Sequence, residues 1–85
     1  MRISKEKKDR IKEQILSFLL YIYPKSKFTA EIAREIARDE EFTKKLLNEL
    51  RKKGFVIDIK KNPHGERYSR RRRWRASKKA YQNYE

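Results

Sequence analysis

The sequence has no cysteine, only two glycines and two prolines, and no long hydrophobic run. Without cysteine the chain has neither disulfides nor thiolate ligands for a metal, which excludes a zinc finger and fits a reducing compartment. The two glycines stand apart, so no glycine-rich loop can cradle a phosphate. The longest apolar stretch, residues 15–23, falls short of the roughly 20 residues that span a membrane. We therefore expect a cytoplasmic protein without a signal peptide or a transmembrane helix, associated with the nucleoid if the source is prokaryotic.

Acidic residues are scarce relative to basic ones. The 85 residues include 25 Lys and Arg but only 12 Asp and Glu, a formal net charge of +13. The excess is concentrated in the second half: residues 1–42 carry a net charge of +2 and residues 43–85 a net charge of +11. Because a polyanion is strongly attracted to such a chain, the composition predicts nucleic acid as the partner, bound by the second half.

Apolar residues recur at helical spacing up to residue 53, which predicts three helices inside a single domain of residues 1–85. Ser4 is placed to cap the first helix, which Pro24 ends. Thr29 is placed to cap a second helix that reaches about residue 38, and Asp39 a third that stops at Gly54. The predicted buried positions of the three helices are Ile11, Ile15, Phe18, Leu19 and Ile22, then Ile32, Ala33 and Ile36, then Phe42, Leu46, Leu47 and Leu50.

After the third helix the apolar period changes to two, which predicts a β-hairpin. Phe55, Ile57 and Ile59 are expected to face the core from its first strand. A turn cluster at residues 62–65 follows, and residues 68–76 return as the second strand.

The second strand and the helix after it should close the domain. Trp74 lies near the end of the strand, where we expect it to anchor the core. Ser77 is then placed to cap a short last helix.

Three segments of the sequence carry a resemblance to a known family. They are EIAREIA at residues 31–37, LNELRKKGFV at residues 47–56 and WRASKKA at residues 74–80. In their order of helix, short helix, turn, helix and basic hairpin they resemble the winged helix-turn-helix family over nearly the whole chain. The resemblance implies an α+β fold with three helices, a two-stranded basic β-hairpin wing at about residues 55–76 and a short C-terminal helix at about residues 77–84.

The resemblance also implies a way of binding DNA. The third helix, residues 39–53, would lie in the major groove as the recognition helix, and the wing would reach the backbone or the minor groove. The first residues of this helix, 39–41, are all acidic, and we expect them to weaken non-specific binding through repulsion of phosphates. Asn48 is a candidate reader of adenine, and the lysines are candidate phosphate contacts. The candidate contacts on this helix are Lys44, Lys45, Asn48 and Lys52.

Arginines dominate the predicted second strand. Guanidinium groups pair with phosphate oxygens through two parallel hydrogen bonds and enter narrow minor grooves, so this is the strongest nucleic-acid-binding signal in the sequence. By strand alternation Arg71, Arg73 and Arg75 share one face, and Trp74 lies on the other. The six candidate contacts here are Arg67, Arg70, Arg71, Arg72, Arg73 and Arg75.

Three functions remain open on these grounds. The first is a DNA-binding transcriptional regulator or chromatin-type protein. The second keeps the fold but binds RNA, and the third is a protein-interaction module that docks through the acidic start of the third helix. Nothing in the sequence indicates an enzyme or a cofactor, and His64, without a second His or any Cys, predicts no metal site.

The first helix is apolar over more of its surface than one small core requires. Its second stripe and the tyrosines of the last helix predict a homodimer through Leu16, Leu20, Tyr23, Tyr81 and Tyr84. The alternative is that the last helix folds onto the first within one chain and leaves a monomer.

Overall fold

The computed structural model describes residues 4–59 and 72–83. Within these ranges the chain forms four helices and a three-stranded antiparallel sheet, the α+β architecture that the sequence predicted. The strand order is β1-β3-β2, so β3 is the central strand. The elements are α1 (Lys5–Tyr21), β1 (Lys27–Phe28), α2 (Thr29–Glu35), α3 (Glu40–Lys52), β2 (Val56–Ile59), β3 (Arg73–Ala76) and α4 (Lys78–Asn83).

Three of the predicted helix caps are confirmed. The Ser4 hydroxyl accepts a hydrogen bond from the backbone N–H of Lys7 at 3.2 Å, and the Asp39 carboxylate accepts one from the N–H of Phe42 at 3.1 Å. At α4 the Ser77 hydroxyl accepts from a backbone N–H at 3.0 Å and also donates to the carbonyl of Gly54 at 2.7 Å. These side chains satisfy N–H groups that have no partner within their helices.

The prediction that Thr29 caps α2 is wrong. The residue before the helix is Phe28, whose N–H donates to the Glu31 carboxylate at 2.9 Å. The Thr29 hydroxyl instead accepts a hydrogen bond from the indole N–H of Trp74 at 2.7 Å inside the core. A buried indole N–H needs an acceptor, so the hydroxyl serves the tryptophan and not the helix end.

The second and third helices end in the same backbone motif. In each, the residue with positive φ and the residue after it donate hydrogen bonds back to carbonyls of the last helical turn, which is the Schellman arrangement. After α3 this residue is Gly54, at φ 83, as the sequence predicted. After α2 it is Ala37, at φ 56. Because the chain turns there, α2 ends at Glu35 and not near residue 38.

The predicted phase of the first hairpin strand is also wrong. Val56 is 1% exposed, whereas Phe55 is 37% exposed and Ile57 and Ile59 are only half-buried. The Phe55 N–H donates to the last turn of α3, so Phe55 belongs to the turn and the strand begins one residue later. Val56 then pairs with Ala76 on the inner side of the sheet.

Trp74 anchors the core, as predicted, and is completely buried. It lies on the central strand, in a core to which all four helices and β2 contribute side chains. The largest apolar side chains buried with Trp74 are Ile15, Leu19, Ile32, Leu46, Leu47 and Val56.

Over the part of the chain that the structure describes, no helix combines the length and apolarity needed to cross a bilayer.

Candidate nucleic-acid interface

The outer side of α3 is basic along most of its length. Thr43, Leu46, Leu47 and Leu50 are buried, which leaves the intervening positions to face outward. Lys44, Asn48 and Lys52 follow one another at intervals of four residues, with Lys45 beside them. The three lysines are exposed and Asn48 is half-buried, so the structure brings the four predicted contacts of α3 to one surface.

Arg72 joins the start of β3 to this surface. Its Nη1 donates a hydrogen bond to Oδ1 of Asn48 at 3.2 Å. Its guanidinium carbon lies 5.8 Å from the centroid of the Trp74 ring, within the range of a cation–π contact. Its carbonyl accepts from the N–H of Thr29 at 3.3 Å. The start of the last strand is therefore tied to α2, to α3 and to the core.

The outer face of β3 carries two further arginines. Arg73 lies opposite Phe28 on one side and Ile59 on the other, and Arg75 lies opposite Ile57. The Arg73 guanidinium is 4.9 Å from the centroid of the Phe28 ring. Both arginines are half-buried.

Several predicted residues lie outside the described part of the chain. Among the candidate nucleic-acid contacts these are Arg67, Arg70 and Arg71, and the same holds for His64, for the turn at residues 62–65 and for Tyr84.

The start of α3 is acidic on its exposed surface. Asp39 caps the helix, and its carbonyl also accepts a hydrogen bond from the hydroxyl of Thr43 at 2.8 Å. Glu40 and Glu41 follow in the first turn and are exposed. Carboxylates suit the positive end of a helix dipole, which accounts for their place here independently of any ligand.

A salt bridge between Lys12 and Glu49 links α1 to α3. The hydrogen bond from Lys12 holds the pKa of Glu49 below its ordinary value, and the positive charges of Lys12, Lys8 and Lys53 act in the same direction against the effect of burial. Glu49 is therefore ionised at neutral pH. This pair joins the flank of α3 to α1.

Two of the predicted dimer residues meet within one chain. The rings of Tyr23 and Tyr81 are stacked, with centroids 4.1 Å apart and planes at 11°. Leu20 is buried, and Leu16 packs against the core from a half-buried position. Tyr81 remains 49% exposed, and Tyr21, which is not among the predicted dimer residues, is 88% exposed.

The contact between Asn48 and Arg72 has no signal in the sequence. The two residues are 24 positions apart, and their meeting depends on how the hairpin packs against α3. The contact of the Phe28 ring with the Arg73 guanidinium was missed for the same reason.

Within residues 4–59 and 72–83, no group of three or more His or acidic residues is arranged to hold a metal ion.

No protein-family model and no curated protein matches the sequence. Two solved structures are similar in fold: a mutant of MepR from a multidrug-resistant S. aureus clinical isolate and a mutant of ZitR from Lactococcus lactis. Each has a TM-score of 0.69, with 15% identity over 86% of this chain for MepR and 19% over 96% for ZitR. The chain spans about half of their length, 50% and 54%. The fold of this chain is that of a winged helix-turn-helix, with α2 and α3 as the helix pair and β2 and β3 as the strands of the wing.

Proposed function

We propose that this protein binds duplex DNA as a transcriptional regulator or chromatin-type protein. In this proposal α3 lies in the major groove and the arginine-rich wing contacts the backbone or the minor groove. The observation that carries the proposal is the contact between Arg72 and Asn48, because it joins the basic side of α3 to the start of the arginine strand. Among the described residues, Arg72 then lies next to the basic side of α3, whereas Arg73 and Arg75 belong to the outer face of the sheet.

The charge distribution supports the same proposal. The second half of the chain carries a net charge of +11, and the exposed lysines of α3 and the arginines of β3 belong to it. A protein that neutralises phosphates releases counterions, so its affinity falls steeply as salt rises. If about five cations contact phosphates, the slope of log K against log salt is near −4.5, and affinity falls on the order of 500-fold between about 50 and 200 mM salt.

A titration over several salt concentrations tests the proposal. The protein is titrated with duplex DNA, duplex RNA and single-stranded DNA of the same length and sequence. We expect the tightest binding to duplex DNA and a steep salt slope. Tighter binding to duplex RNA would favour the RNA-binding alternative, and no binding to any of the three at moderate salt would favour a protein-interaction module.

The contribution of the wing is tested by a quadruple variant. Replacing Arg70, Arg71, Arg72 and Arg73 by Ala should flatten the salt slope by about 3.6 if each of the four contacts one phosphate. Circular dichroism and thermal unfolding establish that the variant folds. An unchanged slope in the folded variant would exclude the wing from binding.

The acidic start of α3 should oppose non-specific binding. Glu40 and Glu41 are exposed near the surface proposed to approach phosphates. Replacing both by Gln removes two negative charges, so binding to random-sequence DNA should strengthen. Weaker binding of the variant would mean that these carboxylates make favourable contacts.

A homodimer remains a prediction. The stacking of Tyr23 on Tyr81 uses part of the predicted interface within one chain, which is the arrangement expected of the monomer alternative. The exposed parts of Tyr81 and Tyr21 are the surface left for a second copy. Sedimentation equilibrium in high salt, with nucleic acid removed, measures the mass directly. A dimeric mass that falls to the monomer in Tyr81→Ala supports the dimer, and a monomeric wild type at tens of micromolar refutes it.

A further inference from the structure

A groove between α1 and α3 is lined mainly by lysines. It has a volume of about 430 Å³ and is open to solvent. Of its six lining residues four are lysines and two are acidic, so four positive and two negative charges leave the groove with a net charge of +2. The lining residues are Lys5, Lys8, Asp9, Lys12, Glu49 and Lys53.

Among the described residues, one of these four lysines has an acidic partner. Lys12 is paired with Glu49, and its side chain is 12% exposed. The other three form no salt bridge within residues 4–59 and 72–83. Two of them, Lys8 and Lys53, are nevertheless close enough to help lower the pKa of Glu49. Because cations that converge on one groove repel one another, an anion that enters the groove is stabilised there.

The groove lies on a different side of α3 from the contact with Arg72. Consecutive residues of an α-helix are about 100° apart around its axis, so Asn48 and Glu49 point in different directions. Asn48 contacts Arg72 at the start of β3, whereas Glu49 contacts Lys12 of α1. On the helix the exposed Lys52 lies between these two directions. The outer side of α3 is therefore flanked by an arginine on one side and by the lysine groove on the other.

We propose, resting on the proposed DNA binding through α3, that the groove between α1 and α3 binds a backbone phosphate of the same duplex. The major groove is about 12 Å wide and is bordered by the backbones of the two strands. A helix that lies in it has one backbone on each flank, and cations are present on both flanks of α3. The phosphate competes with Glu49 for Lys12, so Glu49 weakens binding.

The salt dependence of binding to duplex DNA tests the groove. Lys5→Gln combined with Lys8→Gln removes two of its cations and should flatten the slope of log K against log salt by about 1.8. The matched control is Lys7→Gln combined with Arg10→Gln. It removes two cations at the same spacing from the same helix, but from a second groove that α1 forms with the end of α2. The control should leave the slope unchanged.

A second pair of variants changes the acidic residues instead. Glu49→Gln frees Lys12 and removes a negative charge from the groove, so binding should tighten and the slope should steepen by about 0.9. The matched control is Glu13→Gln, which removes an exposed carboxylate of α1 from the second groove and should leave the slope unchanged. Opposite shifts after removal of the lysines and of Glu49 are the signature expected of a phosphate in the groove.

Four outcomes overturn the inference while DNA binding stands. They are an unchanged slope in the folded lysine variant, equal flattening by that variant and its control, Glu49→Gln binding no tighter than the wild type, and a second bound duplex that only the lysine variant loses. If the wild type binds no duplex DNA at about 100 mM salt, the proposed function fails and this inference fails with it. Thermal unfolding establishes that each variant folds, and Glu49→Gln keeps the test decisive if the lysine variant does not.

Discussion

The two faces of β3 differ in what their side chains do. On the inner face Trp74 and Ala76 are completely buried, and on the outer face Arg73 and Arg75 alternate with them. The inner face contributes apolar burial and a hydrogen bond to Thr29, whereas the outer face contributes positive charge. A strand of four residues thus serves both folding and the proposed binding. The comparison indicates that stability and affinity can be changed separately.

The largest effect should come from breaking the inner face. Trp74→Ala removes the largest buried side chain of the described residues and leaves a cavity in a core built from all four helices, so we expect it to lower the free energy of unfolding by about 3–5 kcal/mol. That is a large part of the roughly 5–15 kcal/mol that stabilises a native domain. Urea unfolding followed by circular dichroism measures the loss. A cost below about 1 kcal/mol would mean that Trp74 is not the anchor of the core.

The hydrogen bond inside the core gives the next largest effect. Thr29→Val keeps the shape of the side chain but leaves the indole N–H of Trp74 without its acceptor, which should cost about 1–3 kcal/mol. The matched control is Thr29→Ser, which keeps the hydroxyl and should cost less. Equal unfolding midpoints for the two variants would contradict a role for the hydroxyl.

These two residues show what the sequence could predict and what it could not. Trp74 was placed in the core from its position near the end of its own strand, which is a local pattern. Thr29 was predicted to cap the helix from a local pattern as well. The residue that its hydroxyl contacts, Trp74, is 45 positions away, so no local pattern could indicate it.

The helices, their caps at Ser4 and Asp39 and the order of elements followed from spacing and capping residues, so they could be predicted. The phase of β2 could not, because it depends on one backbone hydrogen bond of Phe55. The link between Asn48 and Arg72 depends on tertiary packing in the same way. Local patterns therefore predicted the candidate residues of the site but not the contacts between them.

The turns at Gly54 and Ala37 test the backbone, whereas the variants above test side chains. Gly54 ends α3 at φ 83, and a Cβ there would meet no atom within 4 Å, so the cost of Gly54→Ala is conformational only. We expect it to destabilise by about 1 kcal/mol. Ala37 has the same conformation after α2, and Ala37→Gly should stabilise by about 0.5 kcal/mol, because the strain it relieves exceeds the entropy it adds to the unfolded chain.

Thermal unfolding of both variants measures these differences. If Gly54→Ala and Ala37→Gly both stabilised the protein, or both destabilised it, the two turns would not be equivalent.

A smaller effect concerns a charge pair that lies away from β3. The pKa of Glu49 is lowered in the folded protein, chiefly by the hydrogen bond from Lys12. A carboxyl group whose pKa is lowered by folding stabilises the fold at pH values above its unfolded pKa of about 4.3. This contribution is lost as the pH falls through the folded pKa. The Glu49 side chain is 41% exposed, so the contribution should stay below about 1 kcal/mol. The unfolding free energies of the wild type and Glu49→Gln should differ at pH 7, and the difference should shrink as the pH falls below the unfolded value.

The smallest effect on stability should come from the outer face. Nε of Arg75 is buried without a hydrogen-bond partner among the described residues, so Arg75→Gln gives up no bond of that atom, and stability should change by less than about 0.5 kcal/mol. The salt slope for duplex DNA should nevertheless fall by about one, since the proposed contact of Arg75 with one phosphate would be lost. Lys78→Gln removes an exposed cation from α4, outside the candidate surface, and should leave the slope unchanged. If Arg75→Gln costs more than about 1 kcal/mol, the outer face also holds the fold together, and stability and binding on β3 are not separable.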